Sequence, residues 1–125
     1  MRSSESARTL VEDVLASAAE DWVDPLELLG VVRKIGANHP EVLRDAAVGL
    51  LARLVEADLV VIGDVSEKHI PWSCSSGEAV LRVAREWAKF DDPLSVMPGQ
   101  IFWLDTTPAG QRLGEAVWAR EAQER

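Results

Sequence analysis

Ile101-Phe102-Trp103-Leu104-Asp105-Thr106-Thr107-Pro108-Ala109-Gly110 is the stretch whose reading decides the fold class. Its first four residues are large and apolar, and three are of β-branched or aromatic type, which predicts a buried strand over about residues 101–105. Thr107 offers a hydroxyl that can cap a helix, and Pro108 loses no hydrogen bond at a first helical position. A strand therefore leads through a tight joint into a final helix. A second apolar run, Leu59-Val60-Val61-Ile62, ends at Gly63-Asp64 and predicts a strand over about residues 59–63. We expect these two core strands to pair antiparallel, with residues 66–100 lying between them and carrying a helix of their own.

Upstream, the pattern is helical. Leu10, Val11, Val14, Leu15 and Ala18 recur at helical spacing and predict a first helix from about Glu5 to Glu20. Asp24-Pro25-Leu26-Glu27 starts a second, with Asp24 accepting from free amides and Leu28, Leu29, Val32 and Ile35 turned inward. Gly36 suits the left-handed residue that ends it. After Ala37-Asn38-His39 a third helix starts at Pro40, with Leu43, Ala46, Ala47, Leu50 and Leu54 as its apolar stripe. Ser75-Ser76-Gly77-Glu78 resembles a capping box opening a fourth helix, whose inner side is Val80, Val83, Ala84 and Trp87. Asp91-Asp92-Pro93 stops it, and Met97-Pro98-Gly99-Gln100 suits a type II turn.

Helix, helix, short glycine-containing turn, helix, strand, then later strand and helix is the order of a winged-helix domain. The segment 101–110 resembles the "strand, Leu-Thr-Pro-x-Gly, helix" junction of MarR-like and PadR-like winged-helix regulators, and Leu113 falls where those families place a buried residue. The resemblance covers roughly residues 6–63 and 100–120. It implies a mainly α fold with a small antiparallel β element, of about five helices and two core strands. It also implies a dimeric DNA-binding regulator as one function. The expected organisation is a single domain over residues 1–125, with an insertion at about 66–100 and frayed ends at about 1–5 and 120–125.

The charges point elsewhere. Among 125 residues, 21 acids against 13 bases give a net charge of −8, which removes the usual electrostatic support for nucleic-acid binding. A 100° wheel puts Asp45, Gly49, Ala52 and Glu56 opposite the stripe of the third helix, with Arg53 at the edge. Two carboxylates there would repel phosphates. Hydrophobic residues at 47% and charged residues at 27% describe a globular chain and argue against disorder. No apolar run approaches the ~20 residues that cross a bilayer, and MRSSESARTL lacks a signal-peptide core. With a single cysteine, the expected location is cytoplasmic.

Catalytic and ligand chemistry have little to stand on. His39 precedes a proline at a helix start, where a turn role is favoured. His69 and Cys74 could share a metal, but no second pair completes a tetrahedral set. Glu12-Asp13, Glu20-Asp21 and Asp91-Asp92 are sequence neighbours and do not face each other on a helix. No phosphate-binding glycine loop is present. We expect no enzyme, no cofactor and no metal. Of the five tryptophans, Trp87 and Trp103 are expected in the core, and Trp22 and Trp72 at its ends. Trp118, about 140° from Leu113 on the wheel, is either packed or an anchor for a partner.

Two functions follow as expectations. The first is a small acidic, non-enzymatic protein-interaction module that binds or neutralises a basic protein through Asp45, Glu56 and Trp118. Immunity proteins that neutralise nuclease toxins resemble this chain in size and charge, and an adaptor would fit equally. The alternative is a DNA-binding regulator, dimeric through its first and last helices, with Arg33, Lys34, Arg44, Arg53 and Lys68 on the phosphates.

Overall fold

The computed structural model describes residues 7–124. Among these, the elements in order are α1 (Leu10–Ala18), α2 (Pro25–Val32), a 3₁₀ turn (Arg33–Ile35), α3 (Pro40–Glu56), β1 (Val60–Val65), β2 (His69–Pro71), α4 (Ser76–Ala88), a second 3₁₀ turn (Pro93–Ser95), β3 (Trp103–Thr106) and α5 (Pro108–Gln123). The fold is mainly α with a small antiparallel sheet of strand order β2-β1-β3.

Four of the five described helices begin at a side-chain cap, and α3 begins at Pro40 without one. Thr9 and Glu12 form a reciprocal capping box that starts α1 at Leu10. The expected start at Glu5 falls outside the described residues. Asp24 caps α2, Ser75 and Glu78 box α4, and the Thr107 hydroxyl accepts from Gly110 N–H at the head of α5. Gly36, at φ 86°, closes the 3₁₀ turn after α2 in the left-handed conformation. That turn rotates Ile35 outward to 48% exposure, so Val31 rather than Ile35 joins the buried side of α2.

The core gathers Val14 and Leu15 of α1, Leu28, Leu29 and Val32 of α2, Leu43, Leu50, Leu51 and Leu54 of α3, and Val83 and Trp87 of α4 under the sheet. Trp87 is fully buried, meets Phe102 edge-on and donates its indole N–H to the Pro93 carbonyl.

The expected strand pairing is present: Val60–Gly63 face Thr106–Trp103 antiparallel. β3 begins two residues later than expected, at Trp103. Ile101 sits at φ 70°, and Phe102 N–H donates back to the Gln100 carbonyl across it, a tight γ-turn. Past that kink, Phe102 and Leu104 point into the core, and Trp103 is half-buried instead of central.

β2 is a strand more than the expected two. It pairs with β1 through Gly63–Pro71, Asp64–Ile70 and Val65–His69. The segment expected as a helix-bearing insertion at about 66–100 therefore first completes a hairpin, with its tip at residues 66–68, and only then forms α4.

α5 departs most from expectation. Gly110, Gly114 and Val117 are buried, while Leu113 is 48% exposed and Ala116 is exposed. A side chain at Gly110 would overlap the Leu59 carbonyl, and one at Gly114 would overlap the Leu15 carbonyl. The two glycines let the helix backbone rest directly on its neighbours, which turns Leu113 out. α5 also stays helical to Gln123, past the fraying expected from 120.

Candidate functional site

α3 presents two unlike faces because its apolar residues recur at helical spacing. Leu43, Ala47, Leu50, Leu51 and Leu54 are buried, and Glu41, Val42, Asp45, Gly49, Arg53 and Glu56 are exposed. The outer face thus carries Asp45 and Glu56, with Arg53 between them. The Asp45 side chain is 72% exposed, and Arg44 at 23% lies back against it with Nη2 3.1 Å from Oδ1. Arg44, a candidate phosphate contact, and Asp45 are thereby paired, each offsetting the other's charge. At the start of the helix, His39 makes no capping bond and its Nδ1 lies 3.0 Å from Glu41.

α4 packs beside this face. Together the two helices make a shallow groove lined by Arg44, Asp45, Val48, Gly49, Ala84 and Ala88. Ala79, Val83 and Trp87 anchor α4 in the core, so it is a fixed flank of α3. The hairpin tip offers Glu67 and Lys68 to solvent, with Ser66 N–H donating to the Lys68 carbonyl.

The remaining candidate residues are scattered. Arg33 is exposed at the end of α2, whereas Lys34 is ion-paired with Asp13 of α1. Trp118 is held within the fold: its indole N–H donates to the Ala16 carbonyl at 2.8 Å, and the Arg8 guanidinium lies over its ring, 4.8 Å from the centroid. Of the two alternatives for Trp118, packed or anchor, the structure has the packed one, because the close approach at Gly114 carries Trp118 onto α1. Trp72, half-buried, is covered by Arg82 at 3.7 Å. His69 Nε2 lies 2.9 Å from the Trp103 carbonyl, and Cys74 is exposed. Among the described residues no group of three His, Cys, Asp or Glu side chains is arranged to hold a metal ion.

A charge network that the sequence reading missed joins α1 to α5. Arg8 makes a bidentate contact with Glu121, 2.7 Å at each oxygen, and reaches Asp13 at 3.0 Å, while Arg120 meets Glu12 at 2.7 Å. The Arg120 hydrogen bond, with help from the Thr9 backbone, holds the Glu12 carboxyl below its usual range. The hydrogen bond to Glu121 pushes the Arg8 guanidinium up. Arg8, Glu12, Arg120 and Glu121 are ordinary surface residues in sequence, and only the packing of the two helices brings them together.

No helix among the described residues is long and apolar enough to cross a membrane. No protein-family model, curated protein or solved structure matches the chain.

Proposed function

We propose that this chain is a winged-helix-like protein-interaction module, without catalytic activity, that docks a basic protein against the outer face of α3. The observation that carries the reading is the chain's net charge of −8, with Glu56 and the Arg44-paired Asp45 exposed on the outer side of α3. Complementary charge speeds encounter with a basic partner and suppresses wrong ones. The fixed flank of α4 supports the same reading, since a duplex approaching α3 would meet it alongside. The helix order and the β1–β3 pairing support the winged-helix likeness. Masking or neutralising the partner is the role such a surface serves, in the cytoplasm. Affinity capture from the native host, with and without nuclease, tests this. A stoichiometric basic protein that survives nuclease supports the proposal, and recovery that depends on intact nucleic acid overturns it.

The alternative reading is a dimeric DNA-binding regulator. The hairpin β1–β2 favours it, since a wing-like tip carrying Lys68 is present, and Arg53 and Arg33 are exposed. A second copy would then sit on the groove between α1 and α5, beside Val11, Leu15 and the half-exposed Leu113. Selection from a pooled genomic library at ~0.15 M salt, the physiological ionic strength, separates the two. Nanomolar enrichment of one sequence, lost in Arg53→Ala, would establish the regulator.

A further inference from the structure

We draw no further inference here: the strongest candidate, the shallow groove between α3 and α4 lined by Arg44, Asp45, Val48, Gly49, Ala84 and Ala88, belongs to the docking face already described.

Discussion

At Asp24 one carboxylate closes two separate pieces of backbone. Oδ1 accepts from Glu27 N–H at 2.9 Å and caps α2, and Oδ2 accepts from Gly99 N–H at 2.8 Å in the turn before β3. The residue is only 4% exposed, and losing its carboxylate leaves the part-buried Gly99 N–H without its acceptor. Asp24→Ala is expected to cost about 2–4 kcal/mol, a lost cap plus an unsatisfied amide. Asp24→Asn keeps one acceptor and should cost less. Urea denaturation ranks the variants, and two wild-type midpoints would show that the bridge contributes nothing. Next to it, burial, followed by Asp24 and Asp21, pushes the Glu27 carboxyl above its ordinary 4.5. A carboxyl raised in the folded state favours folding when protonated and opposes it when ionised. Glu27→Gln should therefore raise the midpoint at pH 7, and the gain should shrink as pH falls through the raised value toward 4.5. A gain independent of pH would place its cause elsewhere.

Among the elements, α3 and α5 use opposite means to pack. α3 relies on large side chains, and Leu50 at 5% exposure lies in its buried stripe. Leu50→Ala should cost ~2–5 kcal/mol, read from the denaturation midpoint. α5 relies on having no side chain at Gly110 and Gly114. Gly114→Ala should cost about 1–3 kcal/mol, because its methyl meets the Leu15 backbone and lies 2.8 Å from the Ala19 methyl. Gly49→Ala, whose methyl meets nothing within 4 Å, should instead stabilise by about 1 kcal/mol through helix propensity. Equal midpoints for the two glycine variants would contradict the packing described. The contrast also explains what the sequence could tell. Caps, prolines and apolar periodicity are local, so the five helices, the outward side of α3 and the β1–β3 pairing were legible. The burial of α5 was not, because a wheel weighted by hydrophobicity assigns glycine no side. β2 escaped for a similar reason, being three residues long with a proline and no alternation, and with it the hairpin was missed.

For the whole molecule, charge and packing together decide the reading. Arg8, Lys34, Arg44 and Arg120 are each held by a carboxylate within the fold. Asp45, which holds Arg44, and Glu56 both face solvent on α3, in a chain whose acids outnumber its bases by 21 to 13. The most direct test of the docking face is the association rate of the purified chain with the basic protein it captures, as wild type and as the Asp45→Lys/Glu56→Lys double variant. Both positions are exposed, so the variant should keep the wild-type denaturation midpoint to within ~0.5 kcal/mol. The account predicts that its association rate falls ~10-fold or more at low salt and loses its salt dependence. An association rate and salt dependence equal to wild type would contradict it.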